Sequence, residues 1–225
     1  MRQWLRSLPL ASEVTLVLLV AFGLSIPVSL AALFGGLPSE ATAPITNQAL
    51  LTLALYEFVI LIVLAAFLRL RGWTLERLGL WPSVRDSLVG CALAGVAYLG
   101  YALLELAAGS LWPELVQAAN ASHLIGADLS WGSVLLVSAV NPVFEEVFLC
   151  GYVIAALRER LGVTAAINVS AGVRVFCHFY QGALGVLGIV PIALLFAYWY
   201  ARSGRLWSLI VAHAILDITA LMLDR

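Results

Sequence analysis

Charge is what this sequence has least of. Asp, Glu, Lys and Arg together make up 11% of its 225 residues, and lysine is absent altogether; a soluble domain carries roughly 25%. With 63% hydrophobic residues and a mean hydropathy of +1.01, the composition excludes a water-soluble globular domain and implies an integral membrane protein. A net charge of −1, with the positive charge all arginine and distributed mostly in short clusters, leaves no basic surface for nucleic acid. The chain has only three cysteines, Cys91, Cys150 and Cys177, each in an apolar stretch and none in a paired C-x-x-C spacing, so they read as small core residues rather than a redox or metal motif. Long polar stretches are missing too, which leaves no room for a soluble domain.

What is present is a series of apolar runs. A span needs about 20 apolar residues, and the pattern yields seven, over 13–34, 47–68, 88–109, 130–157, 162–181, 183–201 and 205–223. The expected fold is an all-α, polytopic transmembrane helix bundle forming a single membrane domain over 1–225. The run from Val14 to Phe34 exceeds the roughly 7–15 residues of a cleavable signal sequence, so it is expected to stay as the first span. Arginine sets the orientation. Arg2 and Arg6 precede the first span; Arg69, Arg71, Arg77 and Arg85 follow the second; Arg158 and Arg160 follow the fourth; Arg202 and Arg205 follow the sixth. The alternate loops carry Glu40, Glu114 and Asp128, which places the N-terminus inside. Segment 113–127 is too short and polar to span, and its His123 reads as a solvated residue.

Three polar islands interrupt these runs: Glu145 with Glu146, Arg174 four residues before His178, and His213 four residues before Asp217. An ionisable group in hydrocarbon costs roughly 2.5–3.5 kcal/mol on insertion scales, so such groups usually face one another around a functional cavity. Asn141-Pro142 precedes the first island, and proline removes the helix hydrogen bond to the Ser138 carbonyl, so a kink and a freed acceptor are expected. At helical spacing Ser138, Asn141 or Pro142, Glu145 and Tyr152 share one face. Adjacent side chains on a helix point about 100° apart, so Glu145 and Glu146 are expected to serve different partners, Glu145 the histidines and a water, Glu146 a cation. Ser170, Arg174 and His178 share a second face, and in the third island Asp217 lies one turn from His213, where it can hold the ring. Glu57 and Glu105 read as packing or snorkelling residues. Two histidines and the carboxylates on three helices can assemble a water-activating site; they can equally ligate one metal.

FEEVFLCGY (144–152), RVFCHFYQG (174–182) and HAILD (213–217) together resemble the three motifs of the CPBP or ABI group of intramembrane proteases. That group includes type II CAAX prenyl endopeptidases and bacteriocin-processing or self-immunity proteins. Its pattern is E-E-x-x-x-R, then F-x-x-x-H, then H-x-x-x-N or D, and ERLGLWP (76–82) resembles the approach to its core, so the likeness covers 74–217. The resemblance implies that Glu145 activates a water with His178, while His213 and Asp217 form the oxyanion side. A single divalent metal such as zinc, held by Glu145, His178 and His213, stays open as an alternative, although no H-E-x-x-H helix is present.

Two positions depart from the pattern. The family's arginine falls on Cys150 and its phenylalanine on Arg174, which leads to the expectation that Arg174 arrives from the next span as the cation for Glu146. An ionised Asp217 cannot donate to an oxyanion, so it is expected to orient His213, which then supplies the donor. The implied function is an intramembrane endopeptidase acting on a membrane-associated peptide or protein, lipidated or not, with a bacterial inner membrane fitting the compact chain. The alternatives are a non-catalytic immunity or scaffold relative, favoured by Cys150, and a proton-coupled transporter, against which stands the lack of an evident inverted repeat.

Overall fold

A computed structural model describes residues 8–35, 44–114, 116–117 and 128–223; Arg2, Arg6, Glu40 and His123 fall outside them. Among the described residues the chain forms eight helices: α1 (Leu10–Phe22), α2 (Ser25–Leu33), α3 (Asn47–Leu70), α4 (Val84–Leu111), α5 (Trp131–Leu161), α6 (Val163–Cys177), α7 (Gly182–Ser203) and α8 (Leu206–Leu223). Their starts follow from capping chemistry. Thr46, Ser83 and Ser130 each accept a backbone N–H of the first turn of α3, α4 and α5, respectively, at 3.1–3.2 Å. Asn47 then ties α3 to α5, donating to the Asp128 carbonyl and accepting from the Ser130 N–H, both at 2.8 Å.

The protein is an all-α, polytopic membrane protein. By length and composition α3, α4, α5 and the segment Phe179–Ser203 can each cross a bilayer, against seven apolar runs in the sequence. The first run is broken instead, with α1 and α2 meeting at a 79° bend, and counting that pair as one span gives five. The fifth and seventh runs fold as shorter helices, Val163–Cys177 and Leu206–Met222. An apolar run marks burial in either lipid or protein, and these two helices line the protein core. Outward faces suit lipid: Leu55, Phe58, Val59, Ile62 and Val63 of α3 are all exposed.

α5 is the central element. Phe148, Leu149, Cys150, Tyr152, Val153 and Ile154 are at most 1% exposed and sit in the main apolar cluster with residues from most other helices. The chain passes through Pro142 without a break and changes its winding just beyond, from α-helical over Trp131–Glu145 to π-helical over Glu146–Ile154, then back to α-helical over Ala155–Leu161. A π segment shifts the angular phase of the residues beyond it and is frequent at functional sites. Tyr152 is therefore not on the face of Glu145, as a uniform helical period had placed it. Its hydroxyl donates instead to Glu13 of α1 at 3.0 Å. Glu13, 2% exposed, also accepts from Arg71 Nε at 2.5 Å and Trp73 Nε1 at 2.8 Å, so this buried carboxylate clamps α1, the end of α3 and the π segment together.

Close backbone approach positions α8. A Cβ on Gly90 of α4 would lie 2.7 Å from the Ser208 carbonyl oxygen and 2.7 Å from Val211 Cβ, so only glycine lets α4 and α8 meet here. On α7, Gly188 likewise lies under the Tyr101 ring.

Candidate active site

The three islands converge beside the start of the π segment. Arg174, 3% exposed on α6, donates from NH1 to Glu145 Oε2 at 2.9 Å and from NH2 to Glu146 Oε1 and Oε2 at 2.7 and 2.8 Å. One guanidinium thus serves both carboxylates, contrary to the expectation of separate partners. Its planar fork is wide enough to bridge side chains that leave the helix at different angles. The cation expected for Glu146 does come from α6, and its NH2 lies 4.0 Å from Cys150 Sγ, beside the position where the sequence pattern had called for an arginine.

His213 on α8 completes the cluster. Its Nδ1 faces Glu146 Oε1 at 2.7 Å and its Nε2 faces Asp217 Oδ1 at 3.4 Å. With an acceptor opposite each nitrogen, the ring satisfies both contacts only as a donor. The tight partner is Glu146, so Glu146 fixes the ring orientation that had been assigned to Asp217, while the Asp217 contact is longer than an ordinary hydrogen bond and leaves the Nε2 side loosely held. Phe196 of α7, fully buried, closes the floor: Arg174 Cζ lies 5.7 Å from its ring centroid and the His213 ring packs on it edge-to-face at 6.2 Å.

Burial is uneven across the cluster. Side-chain exposure is 0% for Glu146 and 4% for Arg174, but 13% for Glu145, 13% for His213 and 23% for Asp217. Among the described residues nothing hydrogen-bonds to Glu145 Oε1. Glu145, His213 and Asp217 are thus the partly accessible members of the cluster, and Glu146 and Arg174 the sealed ones.

His178 is placed differently from the expectation. α6 ends at Cys177, so His178 lies just past the helix, where its Nδ1 contacts the Arg174 carbonyl at 2.7 Å and its ring stacks on Tyr180 at 6.2 Å. A carbonyl only accepts, so Nδ1 carries the proton and a neutral ring presents its Nε2 lone pair. The metal donor set considered from sequence, Glu145, His178 and His213, is not the one the fold gathers. Glu145, Glu146 and His213 have ligating atoms within 4.8 Å of one another, and His178 is not in that group.

Residues 127–219 match the family described as type II CAAX prenyl endopeptidase Rce1-like. That segment is similar to the family and makes up less than half of the chain. It holds α5 to α7 and most of α8, and thus every member of the Glu145–Arg174–Glu146–His213–Asp217 network. No curated protein and no solved structure matches the chain.

Sequence reasoning missed three participants. Phe196 carries no polar signal. Glu57, read as a packing or snorkelling residue, is 4% exposed and accepts from Asn141 Nδ2 at 2.8 Å, one turn before Glu145. Tyr180 stacks on His178, with ring centroids 6.2 Å apart.

Proposed function

We propose that this protein is an intramembrane endopeptidase in which Glu145 activates a water to hydrolyse a peptide bond of a membrane-associated peptide or protein. The observation that carries the reading is the split of the cluster into a buried charge-balanced pair and partly accessible members that include a carboxylate and a donor histidine. Glu145 Oε1 takes a proton from the water as its oxygen attacks the scissile carbonyl carbon. The carbonyl oxygen becomes an oxyanion and receives the His213 Nε2–H, which the long Asp217 contact leaves able to turn. A donor aimed at developing charge in a water-poor site is worth about 2.7–4 kcal/mol. On collapse the C–N bond breaks and the proton on Glu145 passes to the leaving nitrogen. His178, with Nδ1–H anchored on the Arg174 carbonyl, presents Nε2 as a second acceptor for the water.

A metal is not part of this reading. A divalent ion between Glu145, Glu146 and His213 would lie against the buried Arg174 guanidinium, which already donates to both carboxylates. No step is assigned to a metal in this reading. The bacterial inner membrane remains the proposed location, with the N-terminus inside.

The test is cleavage of a peptide library by the purified protein, with Glu145→Ala as control. Cleavage lost in Glu145→Ala, at unchanged folding and expression, is expected. Cleavage that survives the substitution would sink the proposal.

A further inference from the structure

Glu57 lies in α3, outside the Rce1-like segment and outside all three motifs, yet it faces the turn of α5 that leads into Glu145. It is buried, its Oε1 accepts from Asn141 Nδ2 at 2.8 Å, and its Oε2 has no hydrogen-bond partner among the described residues. Glu145, Asp217 and His213 are near enough to act on it electrostatically. Among the described residues no cation pairs with it. A carboxyl buried in this way weakens a fold relative to an apolar residue of the same shape, so its presence calls for a role.

The local backbone indicates what that role is. Pro142 has no N–H, so the turn from Ser138 to Pro142 lacks one of the hydrogen bonds that hold a helix straight, and Ser138 Oγ at that turn is also buried without a partner. This turn of α5 is short of one backbone hydrogen bond, and Glu145 comes directly after it. The Asn141–Glu57 hydrogen bond is a cross-helix tie at that point.

We propose that Glu57 is a positioning residue of the active site, which through Asn141 pins the Pro142 turn of α5 and so fixes where the Glu145 carboxylate points. The kinetic consequence rests on the peptidase reading; the positioning itself does not.

The test uses the full chain in detergent with dicyclohexylcarbodiimide as a carboxyl probe, reading the rate of adduct formation on Glu145 by mass spectrometry. In the wild type Glu145 is held against Arg174 and is expected to label slowly. Glu57→Leu and Asn141→Leu are each expected to raise that rate several-fold, and the double variant no further, because both break one tie. Glu57→Gln, whose amide oxygen can still accept from Asn141, should label like the wild type. On a peptide selected from the library, both leucine variants should lose kcat on the order of 10- to 100-fold, with KM little changed. A purely structural role would instead lower the yield of folded protein and leave kcat per folded molecule intact. Unchanged Glu145 labelling in the leucine variants, or effects that add in the double variant, overturns the inference. If Glu57→Leu does not fold, Asn141→Leu carries the same comparison. Labelling that responds as expected in a protein that cleaves nothing keeps the positioning and removes the peptidase reading. Cleavage by leucine variants at wild-type kcat does the reverse.

Discussion

Replacing Arg174 with phenylalanine removes three charge-assisted hydrogen bonds, leaving Glu145 without its ion-pair partner and Glu146, which has no exposure at all, with His213 alone. Removing one partner of a buried ion pair costs about 3–5 kcal/mol. For a chain of this size each kcal/mol corresponds to about 2–4 °C in Tm, so the single variant should melt roughly 6–20 °C below wild type. The incoming ring has a place to pack, because Arg174 Cζ already lies 5.7 Å from the Phe196 ring centroid; the loss is thus one of charge balance rather than of volume. Cys150 Sγ lies 4.0 Å from the Arg174 guanidinium, so an arginine introduced there reaches the same carboxylates. Arg174→Phe with Cys150→Arg should recover more than half of the lost Tm together with Glu145-dependent cleavage. Thermal unfolding in detergent, with size-exclusion chromatography and peptide cleavage on the folded fraction, reads both quantities. An Arg174→Phe protein that melts within about 2 °C of wild type would refute the buried-charge argument, because no buried pair would then have been broken. A double variant that folds normally but stays inactive would show instead that the cation must come from α6.

The same geometry gives three further expected outcomes. A chelator such as EDTA should leave cleavage unchanged, because the proposed mechanism activates the water with Glu145 and the Arg174 guanidinium already balances the two carboxylates; loss of activity restored by zinc would count against this. Tyr152→Phe removes one of the donors to Glu13 and should lower stability by about 1.5–3 kcal/mol, the worth of a hydrogen bond to a charged group, while kcat per folded molecule stays near wild type. Gly90→Leu forces α4 away from α8, the helix that carries His213; over-packing costs about 1–3 kcal/mol, and cleavage should fall along with Tm.

Much of the chemistry could be read from the sequence, because ionisable residues inside apolar runs are costly wherever the chain puts them. Glu145, Glu146, Arg174, His213 and Asp217 stand out on that ground alone, and the fold does bring them together. Membrane character and an all-helical bundle follow from composition for the same reason. The number of crossings does not. Runs 162–181 and 205–223 fold as shorter helices, and a hydropathy pattern does not fix where within a run the helix stops. Glu57 and Glu13 were hard to rank from sequence, since a lone carboxylate gains meaning only from its neighbour, and Asn141 and Tyr152 come from another helix.

By itself, then, the sequence determined that this is a membrane-embedded helical protein with a polar centre built from three separated motifs, since periodicity and the cost of burying charge act locally along the chain. Tertiary structure decided how that centre is wired. The π winding after Glu145 turned Tyr152 away toward Glu13, a single guanidinium reached both carboxylates, and Glu146 rather than Asp217 took the close contact with His213. Each of these depends on the angular phase of a helix relative to neighbours distant in sequence, which no local pattern encodes.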